Sequence, residues 1–203
     1  MIEQHTPFST TIFTTNFSKD KLFKSHQELT DKAFSLEKEN QGKSISNAGG
    51  FQSEDFDSKT PIVNKFWFEI LPIVHQYVNL YNLGYNYDTN LSFLWFNINR
   101  KYNYNYKHNH LGANFSGIYY LDTPEDSGNL IFDNPDKFTG LGFYNNPMKD
   151  YNSFNSQSYC IVPKKGMLVL FPGHLDHYVQ MNNNEKPRVS LAFNFDVTEE
   201  KND

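Results

Sequence analysis

The chain has 203 residues with a formal net charge of -5, and it is 38% hydrophobic, 17% aromatic and 20% charged; this excludes a disordered or membrane-spanning chain and fits one packed domain over residues 1–203. Its 18 Lys and Arg are scattered, with only short pairs such as Arg100-Lys101 and Lys164-Lys165, so the basic footprint of a nucleic-acid binder is missing. The lone cysteine, Cys160, cannot close an internal disulfide; with no signal peptide or long apolar run, it points to the cytoplasm and to any metal being held by His, Asp or Glu.

In chain order, helices come first. Ser18 as N-cap opens an amphipathic helix predicted over residues 18–40, placing Leu22, Phe23, Leu29, Ala33, Phe34 and Leu36 near helical spacing. Residues 41–59 are rich in Gly, Ser and Asp and read as a loop around Gly49-Gly50. Thr60 then caps and Pro61 starts a second helix with Ile62, Phe66, Ile70, Ile73, Val74, Tyr77 and Leu80 on its apolar face, Pro72 as a candidate kink and Gly84 as its end.

From about residue 90 the hydrophobic period changes to two. The runs LSFLWFNI, ANFSGIYYLDT, GNLIFDNP, SYCIVPKKGMLVLFP, HYVQM and RVSLAFNFDV are separated by turn residues, with no helices between them. That pattern predicts an antiparallel sandwich or barrel. The expected fold class is mainly β with flanking α: a jelly roll over residues 90–198, with residues 1–89 as helical support packed outside.

Four of the seven histidines cluster at strand ends. His108 and His110 flank Asn109, so in an extended segment both side chains point to one face and can share a metal ion. His174 and His177 follow the run MLVLFP some 60 residues later. Two ligands from one strand and one from a distant strand make a facial three-ligand site with open positions. A His-x-His pair is weak by itself, and an ordinary surface strand also carries such pairs. Arg188 adds to it. The alternation of RVSLAFNF puts Arg188, Ser190, Ala192 and Asn194 on one face, and a guanidinium entering a core strand needs an anion, either a ligand or a structural carboxylate.

The ordered stretches HNHLGANFSGIYYLD, SGNLIF, GMLVLFPGHLDHYV and RVSLAF resemble the 2-oxoglutarate and Fe(II) dependent dioxygenase superfamily, and within it a bacterial and marine-phage branch with motifs like HxHPxxxxSGVYYL and SNxGGWQS. The latter is matched by SNAGGFQS at residues 46–53; Leu111 and Phe51 replace the branch's Pro and Trp. The resemblance implies a double-stranded β-helix of cupin-like form. It implies His108 and His177 as ligands of Fe(II), with Arg188 gripping the far carboxylate of the co-substrate 2-oxoglutarate beside Ser190 and Tyr120. Asn97 and Asn99 are further candidates for the co-substrate pocket, and His174 falls outside the ligand set. The abundance of Asn, 25 residues, is the bias of AT-rich coding such as some phages show, which would place the protein in a host cytoplasm.

The departure is His110, where the wider family has Asp or Glu. A neutral imidazole there leaves one more unit of positive charge on the centre and strengthens its pull on a dianion. We read His110 as the third ligand; water, Asp176 or Asp133 are the alternatives. The implied reaction couples oxidative decarboxylation of 2-oxoglutarate by O2 to hydroxylation of a substrate C–H bond. A peptidyl residue such as proline ranks first as substrate by analogy, with small molecules open, and residues 136–158 are either a lid or a surface excursion. The oligomeric state is open, a homodimer among the options. Two other classes stay in view: a three-His cupin-type dioxygenase without 2-oxoglutarate, and a noncatalytic jelly-roll binding module.

Overall fold

The computed structural model describes residues 3, 9–15, 22–136 and 149–200. Ser18 and most of the stretch 136–158, read as either a lid or a surface excursion, lie outside the described residues. Helix α1 (His26–Glu39) buries His26, Leu29, Ala33 and Leu36, three or four residues apart on one face. It begins later than the sequence pattern predicts, since residues 22–25 form an irregular lead-in. There Phe23 packs edge-on against Phe66 at 6.0 Å, and Ser25 Oγ donates to Glu69 Oε2 at 2.6 Å. These tertiary contacts outweigh the local helical periodicity.

Helix α2 (Pro61–Val78) buries Val63, Phe66, Trp67, Ile70, Val74, Tyr77 and Val78. It runs on through Pro72, which stands on the exposed side, where water can take the Phe68 carbonyl that proline leaves without a donor. The helix ends at Val78, short of Gly84. A 3-10 turn follows, closed by Asn82 in the left-handed region at φ 46°, and Leu80 is 54% exposed rather than core. Asn tolerates this backbone well enough to do the work assigned to glycine. No helix among the described residues is long and apolar enough to cross a membrane.

The strands are β1 (Phe13–Thr15), β2 (Asn47–Ala48), β3 (Phe51–Gln52), β4 (Tyr87–Asn99), β5 (Tyr104–His108), β6 (Phe115–Asp122), β7 (Leu130–Asp133), β8 (Ser158–Ile161), β9 (Leu168–Pro172), β10 (His177–Val179) and β11 (Arg188–Glu199). They form two antiparallel sheets, β1-β9-β6-β11-β4-β3 and β2-β5-β10-β7-β8, a jelly roll that is open rather than closed into a barrel. The run SYCIVPKKGMLVLFP divides into β8 and β9, which belong to different sheets. Residues 46–53 hold β2 and β3, so a stretch that reads as loop stitches the edges of both sheets.

Period-two alternation sorts each strand of the larger sheet into two faces. Leu94, Phe96 and Ile98 of β4, Tyr119 and Leu121 of β6, and Val189, Leu191, Phe193 and Phe195 of β11 pack with the buried faces of α1 and α2. Leu170 of β9 joins this layer, whereas Ile118, Tyr120, Phe132, Val169 and Phe171 fill the space between the sheets. Gly117 pairs with Phe193 across β6 and β11. A Cβ at Gly117 would lie 2.2 Å from the Phe193 ring, so this position needs glycine for close approach.

Candidate metal centre

The opposite faces of β4 and β11 turn inward and carry the polar residues. In register, Asn97 faces Ser190 and Asn99 faces Arg188, while Ser190 pairs on its other side with Tyr120 of β6. The smaller sheet contributes the histidines. His108 ends β5 and stands directly opposite His177 of β10, with ring centroids 4.4 Å apart. His110 lies beyond the strand end, yet its ring is 5.1 Å from His108 and 5.2 Å from His177. The turn that returns it is fixed by main-chain bonds, His110 N to Gly173 O at 2.7 Å and Ala113 N to His110 O at 3.0 Å. A side chain at Gly173 would fall 2.4 Å from the Ala113 carbonyl oxygen, which accounts for the glycine of FPGH.

The three imidazoles offer nitrogens that all lie within 4.8 Å of one another, close enough to share one ion. Their tautomers are set locally. His108 Nδ1 lies 2.7 Å from Tyr106 O and His177 Nδ1 lies 2.9 Å from Leu175 O; a carbonyl only accepts, so each Nδ1 carries the proton and leaves the Nε2 lone pair free for a metal. Burial keeps the rings neutral, pushing His177 down to about 3 and His110 to about 4, each helped by neighbouring His108, while His108 is itself lowered by desolvation.

Asp176 and Asp133 do not join the histidines. Asp176 accepts from Asn109 Nδ2 at 2.7 Å and Asp133 is paired with Lys107 at 2.7 Å. His174 is exposed and outside the cluster. His26 of α1 is also away from the cluster, buried with Nδ1 2.8 Å from Tyr119 Oη.

The same cavity holds Trp95, Asn97, Asn99, Tyr120, Arg188 and Ser190. Arg188 is only 1% exposed, and burial lowers its pKa to about 10, so it is still a cation at neutral pH. Among the described residues no carboxylate pairs with it. Nη1 donates to the carbonyls of Ser127, Gly128 and Gln180, whereas Nη2 has no partner. Asn97 Oδ1, Asn99 Nδ2 and Tyr120 Oη are likewise buried without partners. Desolvation pushes the Tyr120 phenol up to about 12, so it stays a donor.

Each orphaned group costs about 1–3 kcal/mol, and an unpaired buried cation costs more. Three of these groups, Arg188 Nη2, Asn99 Nδ2 and Tyr120 Oη, are donors, and orphaned donors around one cavity are the signature of a polar, anionic ligand. An Fe(II) ion beside a dicarboxylate suits this donor set: neutral imidazole nitrogens for the metal, a guanidinium and a phenol for the acid. Sequence reasoning overlooked Ser46 and Trp95, which also line the cavity. The signal for Ser46 was present in SNAGGFQS; Trp95 sits on the inward face of β4, 5.7 Å from the His110 ring.

Comparison with known proteins identifies the family. A family model described as "Putative 2OG-Fe(II) oxygenase" matches residues 93–194, half of the chain. No curated protein matches by sequence. Among solved structures, a Pseudomonas putida prolyl-4-hydroxylase is similar over 96% of this chain and 95% of its own, with a TM-score of 0.62 at 15% identity. HygX from Streptomyces hygroscopicus, with nickel and 2-oxoglutarate bound, matches over 92% and 83% with a TM-score of 0.63 at 11% identity. The viral collagen prolyl hydroxylase of Paramecium Bursaria Chlorella virus-1 matches over 91% and 94% with a TM-score of 0.56 at 14% identity. The chain belongs to the 2OG-Fe(II) oxygenase family and is an oxidoreductase dependent on Fe(II) and 2-oxoglutarate.

Proposed function

We propose that His108, His110 and His177 hold the Fe(II), that Arg188, Ser190, Tyr120, Asn97 and Asn99 receive the distal carboxylate of 2-oxoglutarate, and that the substrate is a polypeptide residue, proline first. One observation carries the assignment: the unpartnered Arg188 Nη2 and Tyr120 Oη are buried in the cavity that the three imidazoles line. The metal and 2-oxoglutarate, when bound, supply the activation of O2 that hydroxylates a C–H bond while the co-substrate is decarboxylated to succinate. The chain's own part is placement. The carbonyls of Tyr106 and Leu175 hold two rings with Nε2 free, Arg188 anchors the diacid through a permanent positive charge, and Ile118, Phe171 and Val179 line the cavity with apolar surface that limits water.

The polypeptide substrate rests on likeness of fold to the two prolyl hydroxylases. HygX, solved also with hygromycin B bound, shows that a protein of similar fold binds a small molecule, which keeps that substrate class as the second reading. Anaerobic titration of the Fe(II) protein with 2-oxoglutarate tests the site. A visible charge-transfer band that is lost in Arg188→Ala is the expected result; iron binding without a band favours a three-His centre independent of 2-oxoglutarate, and failure to hold iron ends the assignment. Gain of one oxygen atom by a proline-containing peptide, read by mass spectrometry with succinate release, tests the substrate class.

A further inference from the structure

A second concavity of ≈ 850 Å³ lies on the smaller sheet, and Asn105 and Val179 line both it and the metal cavity. The β5–β10 pair is therefore a wall common to the two. A register shift there sets Tyr106 and Lys107 against the single residue Tyr178, which crowds aromatic side chains onto the groove. Tyr104 and Tyr106 meet edge to face at 5.1 Å, Tyr106 is 53% exposed, and Tyr178 lines the groove with them. The loop after β6 supplies Glu125 and Asp126, both exposed and without an ion-pair partner among the described residues. Among the described residues Lys107 is the one cation in the lining, and its ammonium is held by Asp133 at 2.7 Å. The Arg188 guanidinium is buried behind the carbonyls of Ser127, Gly128 and Gln180.

We propose that this groove binds an extended polypeptide segment carrying Lys or Arg, at a site separate from the metal cavity. Charge complementarity selects this occupant. Aromatic faces attract ammonium and guanidinium groups and also pack against the flat ring of proline, and two uncompensated carboxylates on the rim favour a cation over a neutral or acidic chain. The volume is in the range that holds a few residues of an extended ligand.

The probe is a fluorescein-labelled ten-residue peptide alternating Pro and Lys, titrated by anisotropy into the full chain without 2-oxoglutarate, so that the result does not depend on how the metal cavity is used. The Lys peptide is expected to bind saturably and at least about tenfold more tightly than its Glu counterpart. Tyr104→Ala with Tyr178→Ala, and separately Glu125→Gln with Asp126→Asn, weaken it about tenfold, while each variant keeps the wild-type response to Fe(II) and 2-oxoglutarate. Tyr104→Ala alone, at a ring that also lines the groove, serves if the double variant is poorly folded. Equal affinity for the two peptides, or an unchanged affinity after loss of the tyrosine rings, overturns the proposal.

Discussion

His108 and His177 occupy directly opposed positions in the antiparallel β5–β10 ladder, with their rings 4.4 Å apart. A pair fixed by main-chain register is preorganised: the backbone ladder holds the two nitrogens together before any metal arrives. Replacing either residue by Ala is expected to lower Fe(II) or Ni(II) affinity by more than about 100-fold, since even outer-shell changes cost 10–100-fold. Calorimetric titration of each variant with the metal checks this, and retention of wild-type affinity in His177→Ala would remove it from the ligand set.

His110→Asp restores the carboxylate of the wider family at a position whose main chain is fixed by Gly173 and Ala113. Metal binding should survive. The added negative charge lowers the net charge of the centre by one, so 2-oxoglutarate should bind several-fold more weakly, with the larger difference at low ionic strength. Titration of the charge-transfer band at two salt concentrations reads both effects.

Tyr120→Phe removes a buried hydroxyl that has no partner in the ligand-free fold. Its effect should change sign with the ligand. Without 2-oxoglutarate the variant gains about 1 kcal/mol, because an unsatisfied donor has been deleted; with 2-oxoglutarate the variant shows a smaller rise in melting temperature than wild type. Melting curves with and without the co-substrate test this, and loss of stability in both states would assign the phenol a purely structural role.

Acid should weaken the metal-free protein through its histidines. Burial holds His177 near 3 and His110 near 4 in the folded chain, below the ordinary histidine value of about 6.5. Between these limits the unfolded chain binds more protons than the folded one, so stability is full above about pH 6.5 and falls as the pH drops toward 3–4. Urea unfolding at a series of pH values should show a steeper loss below pH 6.5 for wild type than for His110→Gln.

The strand content and the inward face of β11 were legible because alternation is a local property. Arg188, Ser190, Ala192 and Asn194 do share one face, and the interior that face meets is where the histidines lie. The first helix was overextended because Phe23 and Ser25 make contacts with α2 and β6 that no local pattern encodes. The role of SNAGGFQS was hidden for the same reason. Two-residue strands carry almost no periodicity, and only the fold shows that β2 and β3 join different sheets. The pairing of His108 with His177 depends on a register between segments 69 residues apart (177 − 108), which the spacing of histidines along the chain cannot supply.

The Gly117–Phe193 pair links the helix-packed layer to the site, since both residues also border the metal cavity. Gly117→Ala would place a methyl 2.2 Å from the Phe193 ring, and Phe193 is wedged against Phe66 at 5.9 Å and Trp67 at 6.2 Å. With no room to retreat toward α2, the ring or β6 must shift, at a cost of about 1–3 kcal/mol. Because Gly117 is flanked by Ser116 and Ile118 on the strand that carries Tyr120, the displacement should also weaken 2-oxoglutarate binding. Adding Phe193→Leu makes space for the methyl, so the double variant should recover part of both losses. A coupling free energy near zero in that cycle, measured by chemical unfolding, would show that the close approach is not what selects glycine.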